Sequence, residues 1–122
     1  MSAIRELIEN YIRSWNETDP LRRRALIERV YAENVAYTDP IAQVRGWEGI
    51  DTTIATVQGM FPGHRFALAG EVDAHHDLAR FRWQLIAPGN DEPLVVGFDV
   101  AELDEGRVRR IHGFLDKVPQ AA

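Results

Sequence analysis

The chain reads as an α+β protein, with three helices packed on the concave face of a curved antiparallel sheet. Three observations predict this. Apolar residues recur at helical spacing through the first half of the chain. Alternating apolar and polar residues, broken by turn signals, fill the second half. The order is then three helices and one short strand followed by four strands in a meander, which is the order of an α+β fold. The 122 residues, 45% of them apolar, suit a single domain over 1–122 with a core of its own.

Ile4, Leu7, Ile8, Tyr11, Ile12 and Trp15 form one apolar stripe and predict the first helix. Asn16-Glu17-Thr18-Asp19-Pro20 breaks it, with Asp19 placed to cap a second helix and Pro20 at its first position. That helix runs to about Val30 or Tyr31, and its Arg22-Arg23-Arg24 run reads as a solvated face. A short strand over 35–38 stops at Asp39, because Pro40 restricts the residue before it. After a loop to Gly46, a third helix carries Trp47, Ile50, Ile54, Val57 and Phe61 on one side, and Pro62-Gly63 ends it. Phe66, Leu68, Gly70 and Val72 then alternate with polar or small residues. Turns are expected at His75-His76-Asp77, at Pro88-Gly89-Asn90-Asp91 and at Asp104-Glu105-Gly106. They separate strands built on Phe81-x-Trp83-x-Leu85, on 94–103 and on 107–115.

Composition narrows the function. The net charge of −5 argues against nucleic acid or an anionic membrane as a partner. The chain has no cysteine, so disulfides and thiolate chemistry are excluded. His64, His75, His76 and His112 fall in a loop, a turn and an outward strand position, so no convergent metal-ligand set and no cofactor is expected. No signal peptide and no apolar stretch of membrane-spanning length is visible, so a soluble, cytoplasmic protein is expected.

Two acids stand out. Asp99 interrupts Leu94-Val95-Val96-Gly97-Phe98-Asp99-Val100-Ala101, a run that otherwise reads as a buried strand, and Asp39 ends the strand Val35-Ala36-Tyr37-Thr38. A carboxylate removed from water is costly unless it is paired, hydrogen-bonded or protonated. Two such acids in one small domain point to a pocket with tuned proton chemistry. The alternative is that both are structural hydrogen-bonding groups.

The segments Asn16-Glu17-Thr18-Asp19, Tyr37-Thr38-Asp39-Pro40, Arg45-Gly46-Trp47-Glu48-Gly49-Ile50, Met60-Phe61-Pro62-Gly63-His64-Arg65-Phe66 and Gly106-Arg107-Val108-Arg109-Arg110-Ile111 resemble the NTF2-like, or SnoaL-like, α+β cone family. Within that family the pattern is most similar to ketosteroid isomerase. The resemblance implies Asp39 as general base, Tyr11 and Asp99 as donors to a developing oxyanion, and Tyr31 as a support of the donor network. Polyketide cyclases and the related epoxide hydrolase place an acid where this chain has Gly113, and the dehydratase dyad would need His112 to face inward. Cyclase- or dehydratase-like activity is therefore a further alternative only.

Side-chain alternation on the family fold decides what faces the cone. With Asp99 inward, Val95, Gly97 and Ala101 are inward too, together with Phe81, Trp83, Leu85, Ile111, Gly113 and Leu115. Trp15, Tyr31, Trp47 and Phe61 complete an apolar, aromatic pocket, in which Gly97, Ala101 and Gly113 leave room for a flat ligand. Val96, Phe98 and Val100 then face outward beside Arg80, Arg82, Arg110 and His112, which predicts a homodimer through the outer sheet face. Two functions follow. One is cofactor-independent proton transfer on a small apolar carbonyl compound. The other is a noncatalytic, dimeric binding protein for a small hydrophobic ligand. Asp39 separates them: an enzyme turns its carboxylate to the cavity, a binder turns it to its own loop.

Overall fold

A computed structural model describes residues 2–119. The elements are α1 (Ser2–Asn16), α2 (Pro20–Val30), β1 (Tyr31–Thr38), β2 (Gln43–Arg45), α3 (Gly46–Met60), β3 (Arg65–His75), β4 (Leu78–Ile86), β5 (Pro93–Asp104) and β6 (Arg107–Lys117). The strands form one curved, open sheet in the order β2-β1-β6-β5-β4-β3.

Strands β3 to β6 form the antiparallel meander that the alternation predicts. Val95, Gly97, Asp99 and Ala101 are all buried on one face of β5. Two features depart from the reading above. Strand β1 pairs with β6 in parallel, so the sheet is mixed. It also starts at Tyr31, directly after α2, and β2 takes up three residues expected in a loop. Ala32-Glu33-Asn34 and Gln43-Val44-Arg45 carry no apolar alternation. Backbone pairing recruits them: Tyr31 registers with Val108, and Ala36 with Arg45. Strand β2 is an edge strand, paired in the sheet with β1 and packed against α3 at Val44 and Gly49.

The helix ends are fixed by side chains. Asp19 caps α2 by accepting from the Arg22 N–H at 2.9 Å, with Pro20 next in the chain; such a cap contributes about 1 kcal/mol. Asn16 at the end of α1 bonds both ways to the backbone of Phe66, donating to its carbonyl at 2.9 Å and accepting from its N–H at 2.7 Å. This locks α1 onto the start of β3. Arg22 is exposed and Arg24 half-buried, but Arg23 is only 6% exposed. It donates to Asp51 at 2.6 Å, to the Gln58 side chain and to the Glu17 carbonyl, so it ties α2 to α3 and to the end of α1. The middle arginine thus departs from the solvated face expected of the run. A basic run carries no period that would reveal it.

The core lies between the helices and the concave face of the sheet. Ile8, Ile27, Val35, Ile50, Ile54, Ala101, Val108 and Ile111 are sealed there. Each large aliphatic side chain among them contributes about 1.5–3 kcal/mol on burial. Among the described residues no helix is long and apolar enough to cross a membrane.

Candidate active site

The sheet register grades the inward face by depth. Ala79, Ala101 and Ile111 form one row across β4, β5 and β6, Phe81, Asp99 and Gly113 the next, and Trp83, Gly97 and Leu115 the third. The first row is buried core. From the second row outward a cavity of about 440 Å³ opens between the sheet, α1 and α3, a size that suits a small organic molecule. Tyr11, Ile12 and Trp15 of α1 line one side, and Thr52, Thr53, Thr56, Val57 and Met60 of α3 another, with Phe61 beside them. Tyr37, Asp39, Ile41 and Ala42 close the β1 side, while Phe66, Trp83, Leu85, Val95, Asp99 and Leu115 come from the sheet. Val118 and Pro119 complete the mouth, where Ile41, Met60 and Val118 are exposed.

Asp99 stands at the boundary between sealed core and cavity. It is 2% exposed, and its Oδ2 accepts from the Tyr11 hydroxyl at 3.0 Å. Burial pushes its carboxyl up from 3.8 to about 7; contacts with the Trp83 indole N–H and the Tyr11 hydroxyl hold it back, and the Asp39 charge adds to the rise. Burial likewise drives the Tyr11 phenol well above its ordinary value, with the Asp99 charge acting in the same sense. The Tyr37 phenol is raised by burial and then by Asp39. Both tyrosines therefore stay protonated donors.

Asp39 answers to both alternatives at once. Its Oδ1 accepts from the backbone N–H groups of Ile41 and Ala42, each at 2.8 Å, and its own N–H donates to the Ala42 carbonyl at 2.9 Å. That is a loop held by an aspartate side chain, stabilised because Pro40 fixes its first bend. Its Oδ2 accepts from the Tyr37 hydroxyl at 2.5 Å, and both residues border the cavity. One oxygen caps the loop while the other belongs to the cavity wall.

Gly113 brings the two acids together. A Cβ there would stand 3.0 Å from Asp99 Oδ1 and 3.1 Å from Asp39 Cβ, so these two atoms are no more than about 6 Å apart. Gly97 serves Trp83: a Cβ there would fall 2.0 Å from the indole ring, so only glycine lets the ring lie against β5. Both glycines shape the cavity without lining it.

Of the other residues expected in the pocket, Trp15, Phe61, Trp83, Val95 and Leu115 line it. Tyr31, Phe81 and Ile111 are sealed behind it, because side-chain parity assigns a face but not a depth. Phe81 meets Tyr11 edge-on at 5.4 Å. The Tyr31 hydroxyl lies 2.9 Å from Ser14 Oγ, which donates to the Tyr11 carbonyl at 2.6 Å. The single serine proton is spent there, so the Tyr31 proton goes to Ser14. Tyr31 thus supports the main chain of Tyr11, not its hydroxyl. Trp47 lies outside the cavity: its indole donates to the Tyr31 carbonyl at 2.9 Å and its ring faces the Arg24 guanidinium at 5.8 Å.

Sequence reasoning missed Tyr37 and Phe66, although Tyr37 shares the parity of Asp39 two positions away. With Trp15 and Trp83 they form a continuous aromatic row: Tyr37–Trp15 at 5.8 Å, Trp15–Phe66 at 5.5 Å and Phe66–Trp83 at 5.3 Å between ring centres. The threonines of α3 gave no apolar signal. His112 is on the outer face, bonded to Glu102 at 2.7 Å, as side-chain parity predicts, and that bond is the main cause that lowers the Glu102 carboxyl.

The SnoaL-like domain family matches residues 8–111, and the chain belongs to that family. A crystal structure of a candidate isomerase of the SnoaL-like family from Agrobacterium tumefaciens is similar with 42% identity over 95% of this chain and 99% of that one, at a TM-score of 0.90. A candidate ketosteroid isomerase from Kribbella flavida shares 20% identity over 99% of this chain and 83% of that one, at a TM-score of 0.71. A de novo designed protein with a curved β-sheet reaches 0.72 at 15% identity over 94% of this chain and 86% of its own. These last two likenesses are of fold alone. Among curated proteins none matches the chain.

Proposed function

We propose that this SnoaL-like chain is an enzyme of cofactor-independent proton transfer on a small, apolar carbonyl compound bound in the cavity. The observation that carries this reading is the meeting of Asp39, Asp99 and Tyr11 across Gly113. The carbonyl oxygen lies against Tyr11 and Asp99. With Asp99 protonated, its carboxyl and the Tyr11 hydroxyl both turn their hydrogens to that oxygen and stabilise an enolate. Asp39 removes a proton from the α-carbon, and the same carboxyl returns it to the γ-carbon, so the double bond moves and no proton is lost. The Tyr37 bond leaves a lone pair on Asp39 Oδ2 for that proton. The name of the Agrobacterium relative, a candidate isomerase, supports the reading. The test is solvent-deuterium exchange of the α-protons of a panel of cyclic enones, followed by NMR. Exchange faster with the wild type than with Asp39→Asn supports proton transfer; equal rates across the panel reject it.

The loop cap made by Asp39 favours a second reading, a noncatalytic binder of a small hydrophobic ligand. In that case Asp39→Asn lowers stability and leaves ligand affinity unchanged. Under either reading we infer that two copies pair through the outer sheet face. Phe98 stands opposite Phe114, which is 57% exposed, with Glu102 and arginines of β4 and β6 on the same face to complement a second copy. Sedimentation of the wild type and Phe114→Asp distinguishes a dimer from a monomer.

A further inference from the structure

Most of the side-chain donors that line the cavity are already committed. Tyr11 donates to Asp99 and Tyr37 to Asp39, and the Trp83 N–H is drawn to Asp99. Thr53 and Thr56 donate back to the carbonyls of Gly49 and Thr52 in their own helix. Two side-chain donors remain. The Trp15 N–H is buried without a partner among the described residues, and Thr52 is exposed. The acceptors are not committed to the same degree. A carboxylate has about four lone-pair sites, and Asp99 keeps roughly two of them and Asp39 one after these bonds are counted. Among the described residues no lysine, arginine or histidine lines the cavity to balance the two acids. The aromatic row from Tyr37 to Trp83 lines the same cavity, and the faces of such rings attract cations.

We propose that the cavity is also a site for organic cations, a protonated amine carried on a flat apolar body, with the ammonium against Asp99 and Asp39 and the body along the aromatic row. This rests on the cavity described above and not on its catalysis. A carbonyl ligand needs Asp99 protonated, whereas an ammonium needs it ionised, so the two classes compete for opposite forms of one residue. The titratable groups that face Asp99 are Tyr11 from α1, Tyr31 and Tyr37 from β1, and Asp39 at the end of β1; β4 offers the Trp83 N–H and β6 only Gly113. None of them is a cation, so the ligand supplies the positive charge.

The experiment is calorimetric titration of the whole protein with naphthylmethylamine, acetylnaphthalene and naphthoate, at pH values about one and a half units either side of the Asp99 midpoint near 7. The amine is expected to bind about thirtyfold tighter at the higher pH, following the ionised fraction of Asp99. The ketone is expected to change in the opposite direction, and naphthoate to bind at neither pH. In Asp99→Asn the pH step of the amine disappears. The indole N–H signals of Trp15 and Trp83 are expected to shift with the amine, which places it in the cavity. An amine that does not bind at the higher pH, or binds with no pH step in the wild type, overturns the proposal. Ketone binding together with either result leaves the carbonyl reading standing, and enone exchange tests that reading separately.

Discussion

Asp39 at the end of β1 is held by three donors, two of them N–H groups of its own loop, whereas Asp99 in the middle of β5 is sealed to 2% exposure with the Tyr11 hydroxyl as its close partner. The two carboxyls are neighbours across one glycine, yet the backbone gives them different surroundings. A strand end can turn its own amides onto a carboxylate. A mid-strand position has spent its amides on the ladder and leaves the side chain to the cavity. The same residue type is thus tied to its own loop by backbone N–H groups at one place and sealed in the interior, with its carboxyl raised by burial, at the other.

Several substitutions would break or sharpen this contrast. The largest effect is expected from Asp39→Asn, which should reduce enone α-proton exchange by about 10²–10⁴-fold, the usual worth of a positioned general base. Next comes Asp99→Asn. Because the folded value of Asp99 is raised from 3.8 to about 7, ionising it costs the fold stability as the pH climbs between those values. The asparagine variant should then be more stable than the wild type above about pH 7, by on the order of 4 kcal/mol at most, and should lose that advantage in acid. Urea unfolding across this range reads it. Gly97→Ala drives a methyl into the Trp83 ring and should cost about 3 kcal/mol together with ligand binding. The smallest effect is expected from Tyr11→Phe, which keeps the ring against Phe81 and removes one buried hydrogen bond, for about 1–2 kcal/mol by denaturant unfolding.

The sequence made some parts of the molecule legible and hid others for physical reasons. Once the family resemblance set Asp99 inward, period-two alternation on β5 put Val95, Gly97 and Ala101 beside it and Phe98 on the opposite face, as the burial pattern has it. The cap at Asp19 lay in a short local signal, whereas the bonds of Asn16 to Phe66 join residues far apart in the chain and did not. Depth was hidden: Phe81 and Trp83 share a face, but α1 seals the first while the second borders the cavity, and only the packing of helix on sheet decides this. The pairing of Tyr31 with Val108 and the short strand β2 depend on partners distant in sequence, so neither leaves a pattern in its own residues. The loop cap of Asp39 was equally silent, since Ile41 and Ala42 contribute only backbone to it.

The state of Asp99 is tested most directly by a ¹³C NMR titration of its carboxyl in the wild type, assigned by its loss in Asp99→Asn. A midpoint of about 7 is expected, raised by burial and held back by the Trp83 and Tyr11 donors. A midpoint at the ordinary carboxylate value of 3.8 would mean that Asp99 is ionised and hydrated at neutral pH, and the division of roles between the two acids would fail.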